Sequence, residues 1–200
     1  LSRLDFLVDP GSRGRLKQAL VKIGFPADDQ AGYVEGEALQ IGLRSLSRGG
    51  RSFGMRPYQK QARDAFHAGG CARGGSGVVV LPCGAGKTVV GMGCMAAART
   101  STLILTTGVT AVRQWIAELL DKTDLDEARI GEYTGDKKEV RPVTVTTYQI
   151  LCRRESAGGD FPHLRLFDRR NWGLIIYDEV HLLPAPVFQI TAGLQARRRL

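Results

Sequence analysis

Lys87 and Thr88 close the run Leu81-Pro82-Cys83-Gly84-Ala85-Gly86-Lys87-Thr88, and Asp178 and Glu179 follow the apolar run Leu174-Ile175-Ile176-Tyr177. An amine and a hydroxyl behind paired glycines suit a polyphosphate and its divalent ion. Two adjacent carboxylates suit a metal and a water to be deprotonated. Gly84 and Gly86, with Ala85 between them, permit a tight turn and close approach of backbone N–H groups. A helix opening there adds the positive end of its dipole. In that chemistry Lys87 reaches the β- and γ-phosphates of ATP and the Thr88 hydroxyl holds Mg²⁺. Asp178 holds the same Mg²⁺, and Glu179 acts as general base toward the attacking water. The strict phosphate-loop pattern asks for Gly where Leu81 stands, so the Gly-x-Gly-Lys-Thr core carries the match. Taken singly, each run has a plain alternative: a glycine turn that binds nothing, and a strand end with two solvated acids. A dinucleotide fingerprint fits less well, since no third Gly has the required spacing. His181 either couples the nucleotide site to a neighbouring domain or is an ordinary loop histidine.

Positioning these groups calls for alternating strands and helices. The run Val78-Val79-Val80-Leu81 predicts a strand entering the glycine loop, with a helix leaving it through Ala96-Ala97-Ala98. Pro57 starts an earlier helix that ends at Gly69, with Tyr58, Ala62, Ala65 and Phe66 on one face. Then follow a strand over 102–106, a helix over 110–122, a strand over 143–146, a helical turn near 148–153 and a strand over 173–177. Short apolar strands alternating with helices predict an α/β fold with a mostly parallel sheet covered by helices. Ligands of such sheets gather at the strands' carboxyl ends, where both motifs fall. Val112, Trp115, Ile116, Leu119 and Leu120 form a stripe on the 110–122 helix, which makes Trp115 a core residue rather than a base-stacking platform. Residues 1–50 read differently: a helical segment with Leu16, Leu20 and Ile23 in phase, Ser12 as its cap and Gly24 at its end. A Gly-, Ser- and Arg-rich linker follows over 47–54.

The 28 basic and 20 acidic residues give a net charge of +8. Residues 1–50 contribute +1 and residues 51–200 contribute +7. A basic unit of this kind favours a polyanion, nucleic acid first, although charge alone equally describes a generic basic surface. Arg153, Arg154, Arg165, Arg169 and Arg170 surround the loop over 158–162 and form either a DNA-facing rim or a solvated face. The four cysteines show no Cys-x-x-Cys spacing, so neither a zinc site nor a disulfide framework is expected. No signal peptide is visible, and no apolar run approaches the roughly 20 residues of a membrane span.

The Asp178-Glu179-Val180-His181 box, 91 residues after Lys87, the phosphate loop and the upstream Met55-Arg56-Pro57-Tyr58-Gln59 together resemble a superfamily 2 helicase. The stretch from Asp178 to Ala185 is similar to the XPB family of 3′-to-5′ DNA repair helicases, in its bacterial form. The resemblance covers about residues 51–200. It implies a first RecA-like ATP-binding domain over 51–200, ending before motif III, preceded by a helical extension over 1–50. It implies an ATP hydrolase that moves on DNA in repair, with ATP and Mg²⁺ as cofactors. Lys87, Asp178 and Glu179 take the catalytic roles, Thr88 and Asp178 the metal. Arg56 and Gln59 match the adenine-recognising element, and Gly84, Ala85, Gly86, Lys87 and Thr88 the phosphate loop. Thr106, Thr107, Arg113 and Thr147 match segments that touch the DNA backbone, and His181 the coupling position. The partners implied are DNA, through low-specificity backbone contacts, and a second RecA-like domain not found in these 200 residues. The location implied is the cytoplasm, at the nucleoid. A duplex translocase that does not unwind, and a nucleotide-dependent DNA-binding module with little hydrolysis, remain open beside the helicase.

Overall fold

The computed structural model describes residues 6, 7, 16, 19, 20, 23, 35–70, 74–151, 153, 163, 166, 169–182 and 198–200. Five strands form one sheet: β1 (Thr102–Thr106), β2 (Ile130–Tyr133), β3 (Val143–Thr147), β4 (Leu174–Tyr177) and β5 (Arg198–Arg199). Their order is β2-β3-β1-β4-β5, and every pairing is parallel. Among the described residues the helices are α1 (Pro57–His67), α2 (Lys87–Ala98), α3 (Val109–Lys122) and a single turn, α4 (Tyr148–Leu151). The α/β expectation thus holds. β1 is central, paired to β3 in the register Thr102–Val143 and to β4 in the register Thr102–Leu174.

Side chains alternate across a strand, and here both faces are apolar, as a sheet covered on both sides requires. Ile104, Val143, Val145, Leu174 and Ile176 join a cluster with Val90, Met92 and Met95 of α2 and Val112, Trp115 and Leu119 of α3. Leu103, Leu105 and Ile175 point the other way and pack with Tyr133, Tyr148, Leu151, Leu166 and Trp172. Each fully buried Leu or Ile contributes roughly 1.5–3 kcal/mol. Cys94, buried in α2, has its thiol pushed up to about 12 by that burial, so it is packing and not a nucleophile. Cys83 is exposed.

Three features depart from the sequence-based expectations. The run Val78–Leu81 is extended but is not a paired strand: the residues just before it meet the sheet, through the Ser76–Arg199 bridge and Gly77 N–H to Arg199 O at 3.1 Å. Val79 and Leu81 pack against the core while Val78 and Val80 stay exposed, the alternation of an edge rather than of a central strand. β2 and β5 have no counterpart among the expected elements. Finally, residues 38–53, expected to form the extension and its linker, pack into the unit. Leu39 and Ile41 enter the α2/α3 core, and bridges join Ala38 to Thr100 and Leu43 to Thr123. Asp124 Oδ1 accepts from Gly42 N at 2.7 Å, and Leu46 bridges Ser52 across a tight turn within the 47–54 segment. Of the expected N-terminal helix, Leu16, Leu20 and Ile23 are described, and Ile23 N donates to Ala19 O; Ser12 and Gly24 lie outside the described residues.

Candidate nucleotide and nucleic-acid site

The carboxyl ends of β1 and β4 are adjacent, and in the strand order the next strand after β1 lies on one side of the pair and the next after β4 on the other, the place where an open α/β sheet leaves a crevice. Asp178 and Glu179 step out of β4 there, with Asp178 N anchored to Leu105 O at 2.8 Å. The glycine loop approaches from the other side and opens α2. Gly84 and Gly86 have φ of +75° and +80°, left-handed values that disfavour any side chain. A Cβ added at Gly84 would meet nothing within 4 Å, whereas one at Gly86 would lie 2.6 Å from Gln59 Nε2. No side chain caps α2, and Val89 N already donates to Gly86 O at 3.0 Å, so the N–H groups of Lys87 and Thr88 are the donors at the helix start that an anion satisfies.

Gly84, Gly86, Lys87, Thr88, Asp178 and Glu179 line one cavity of about 360 Å³, within the size range of a nucleotide or cofactor pocket. Thr107, ahead of α3, and Ala111, Gln114, Trp115 and Glu118 of α3 extend its wall. The Lys87 ammonium donates to Glu179 Oε1 and pairs with it. That hydrogen bond, reinforced by the charges of Glu179 and Asp178, holds the lysine above its ordinary value of 10.5. The same bond holds the Glu179 carboxyl below its ordinary 4.5. His181 Nδ1 lies 3.4 Å from the other oxygen, Oε2, with its own side chain largely exposed. Glu179 has φ +54°, a left-handed value costly for a residue with a side chain. The donor set, the glycine clearances and the cavity fit a nucleoside triphosphate with a divalent ion: Lys87 and the α2 amides for phosphate, Thr88 and Asp178 for the ion.

Arg56 and Gln59 stand beside this cavity rather than in its lining. Gln59 is buried, and its amide is engaged at both ends: Nε2 donates to Ala85 O at 2.9 Å, and Oε1 accepts from Arg56 N at 2.9 Å. Each end keeps one further hydrogen-bonding position. Tyr58, which its spacing assigns to a packing face, donates its hydroxyl to the same Ala85 O at 2.7 Å and accepts from Arg56 Nη1 at 3.3 Å. The α1 start thus fixes the glycine loop.

The four residues matched to DNA contacts divide. Thr106 is fully buried, its hydroxyl 3.2 Å from both Gly108 O and Thr146 O, so it ties strand ends together and is not offered to a phosphate. Thr147 is 5% exposed, and its hydroxyl accepts from Ile150 N at the start of α4. Thr106 corrects the expectation, because a hydroxyl at a buried strand end finds its acceptor in the backbone, whereas the Thr147 hydroxyl serves there as an acceptor only. Thr107 is half-buried and Arg113 exposed, on the surface beyond β1. Gln149, unforeseen, is exposed beside them and donates to Thr107 O. Of the arginines expected around 158–162, Arg170 pairs with Glu37 at 3.1 Å; Arg154, Arg165 and the loop itself lie outside the described residues. Among the described residues no three His, Cys, Asp or Glu side chains form a ready metal cluster, and no helix is long and apolar enough to cross a membrane.

Comparison with known proteins agrees with this geometry. A family model described as type III restriction enzyme, res subunit, matches residues 52–199. Proteins named DNA 3′-5′ helicase XPB from Kineococcus radiotolerans and Mycobacterium tuberculosis are each 57% identical over 97% of the chain. A protein named putative DNA 3′-5′ helicase Rad25 from Haloarcula marismortui is 39% identical over the whole chain. The chain spans about a third of the length of these relatives, 33%, 33% and 29% respectively. The UvsW helicase of bacteriophage T4 shares the fold, with a TM-score of 0.53 at 20% identity over 98% of this chain and 72% of that one.

Proposed function

This chain belongs to the type III restriction enzyme res-subunit family and, within it, to the XPB helicases, and from that premise we propose that it is the ATP-binding part of a 3′-to-5′ DNA motor. The observation that carries the reading is the convergence of Lys87, Thr88, Asp178 and Glu179 on one cavity at the sheet's carboxyl edge. Bound Mg²⁺ supplies charge neutralisation across the phosphates. The chain's residues supply the rest. The α2 amides and Lys87 bind and orient the phosphates, and Thr88 and Asp178 hold the ion. Glu179, released from Lys87 when the lysine turns to phosphate, accepts the proton of the attacking water at a carboxylate oxygen. Gln59 and Arg56 take the adenine side, Gln59 through the hydrogen-bonding positions the glycine loop leaves it. His181, paired with Glu179, carries the state of the site to neighbouring structure.

Thr107 and Arg113 lie on the surface that meets the DNA backbone, with little sequence preference and with affinity that falls as salt rises. A second RecA-like unit contributes the arginine that stabilises transition-state charge, an effect on the order of 10³ or more in rate in related ATPases. Work in DNA repair is supported by the names of eukaryotic relatives, which are called subunits of a transcription and DNA repair factor; a cytoplasmic location at the nucleoid is what the resemblance to the bacterial form implies. The motor unit over 51–200 takes in the packed segment that starts at residue 38, and the part of the chain before it is the extension that leads in.

The test is DNA-stimulated phosphate release by the complete protein. Lys87→Ala abolishes it; turnover retained at the parent rate overturns the assignment. A second reading, translocation on duplex without unwinding, is favoured by relatives named helicase/translocase subunits and by the restriction-enzyme description of the family model. Strand displacement beside triplex displacement separates the two: loss of the triplex strand with the duplex intact selects the translocase.

A further inference from the structure

Asp178 is held from two directions by residues that phosphate chemistry does not use. The Trp115 indole N–H donates to Asp178 Oδ2 at 2.9 Å, and the Tyr148 hydroxyl donates to the main-chain Asp178 O, also at 2.9 Å. The two donors arrive from opposite faces of the sheet, Trp115 from the α2/α3 cluster and Tyr148 from the other. Both are buried, at 3% and 2% exposure. The Trp115 ring also packs against α2: a methyl carbon at Gly91 would sit 2.7 Å from Trp115 Cη2. One indole thus touches the helix that begins at Lys87 and the carboxylate that ends β4.

The chemistry of the two donors is one-sided. An indole N–H donates and accepts nothing, so a buried Trp must find an acceptor, and here that acceptor is a carboxylate oxygen. The Tyr148 phenol likewise acts here as a donor, toward a main-chain carbonyl. A carboxylate with one oxygen taken by a rigid ring has its side-chain torsion set, and the other oxygen, Oδ1, is left for a ligand.

We propose that Trp115 and Tyr148 are positioning residues, which fix the side chain and main chain of Asp178 so that its second oxygen meets the divalent ion of a bound nucleotide. The inference rests on the nucleotide-site reading above. Partners that orient a metal-ligating carboxylate cost roughly 10–100-fold in metal affinity when removed.

The test uses the complete protein and a fluorescent N-methylanthraniloyl ADP, titrated with Mg²⁺ and separately in EDTA. Trp115→Phe keeps a ring over Gly91 and removes the N–H, and Tyr148→Phe removes one oxygen with almost no change in volume. Each raises the Mg²⁺ concentration that half-tightens ADP binding by about tenfold and leaves the affinity in EDTA unchanged. A midpoint within twofold of the parent for both variants overturns the proposal, and so does an equal loss of affinity with and without Mg²⁺, which marks a merely structural role. Asp178→Asn and Thr88→Ala serve as references. If they move the midpoint and the aromatic variants do not, the positioning role alone fails. If none of the four moves it, the nucleotide-site reading fails with it.

Discussion

The end of this sheet edge proposed for nucleotide and the end proposed for DNA are built from similar parts and answer to different physics. At the nucleotide end the chemistry-bearing groups stay available: Gly84 is open, the α2 amides are uncapped, and Lys87 and Glu179 are each about one-third exposed, held in a pair that a stronger anion can split. At the end proposed for DNA the Thr106 hydroxyl is closed on the carbonyls of Gly108 and Thr146, and the buried Thr147 hydroxyl accepts from Ile150 N. A cation and an anion across a crevice can exchange partners; a hydroxyl closed on a carbonyl in the core has little to gain by leaving it. A residue type at a strand end therefore marks a binding group only where burial has not already assigned its hydrogen bonds. The two ends meet at Asp178, which Trp115 reaches from the helix beyond β1 and Tyr148 from the end of β3.

The largest expected break in this comparison is Glu179→Gln. It removes the proton acceptor and leaves the phosphate contacts, so ATP turnover falls by about 10²–10⁴-fold. ADP affinity stays within a few-fold. Quenched-flow phosphate release with a parallel binding titration checks both, and a matched loss in binding would show that Glu179 shapes the site rather than serving the reaction.

Next comes Gly86→Val. A β-branched residue at φ +80° is strained, and its Cβ meets Gln59 Nε2 at 2.6 Å. The expected cost is about 1–3 kcal/mol in urea unfolding, together with loss of nucleotide binding. The same swap at Gly84, where the φ strain is similar but no neighbour lies within 4 Å, costs less. Equal losses would mean that backbone strain, not the Gln59 contact, dominates.

The paired substitutions Thr106→Val and Arg113→Ala sharpen the DNA side. Thr106→Val removes a buried hydroxyl and costs about 1 kcal/mol of stability with DNA affinity unchanged. Arg113→Ala leaves stability alone, weakens DNA binding a few-fold, and lowers the slope of log affinity against log salt by about one. Fluorescence anisotropy across a salt series reads the slope. A DNA defect in Thr106→Val with normal stability would reverse the assignment of the two residues.

What the sequence made legible follows the same division. The glycine loop, Lys87, Thr88, Asp178 and Glu179 stand out in the sequence because each is a rare residue in a fixed local order, and the structure brings them to one cavity. β1, α3 and β4 were readable because their apolar periods are uninterrupted. β2 was hidden because Ile130-Gly131-Glu132-Tyr133 buries a glycine and a glutamate, with Glu132 relieved by Thr134 Oγ1 at 3.1 Å and Lys137 at 3.6 Å. Residues 38–53 were hidden because Leu39 and Ile41 give too short an alternation, and their partners lie about 60–80 residues away. The polar work of Trp115 was hidden behind a correct assignment: it is a core residue of the helical stripe, and its N–H is a separate fact that periodicity cannot report. The requirement that a buried indole donate to something was the available signal.

The smallest expected effect concerns pH and the Lys87–Glu179 pair. Glu179 is held below its ordinary value by Lys87, so its contribution to stability is complete above pH 4.5 and is lost as pH falls through the lower, folded value. Lys87 is held above 10.5, so its contribution is complete below pH 10.5 and is lost only as pH rises through the higher, folded value. Between those limits the pair adds no pH dependence. Because each side chain is about one-third exposed, solvent screens the interaction and the acid limb is shallow. Lys87→Met removes the cause of the Glu179 shift, so its urea midpoint falls less than the parent's between pH 5 and pH 3. Identical acid limbs would place the stability of this end of the sheet elsewhere, in the glycine loop's bonds to Gln59 and Tyr58. The pair would then hold the two side chains ready for exchange without holding the fold together.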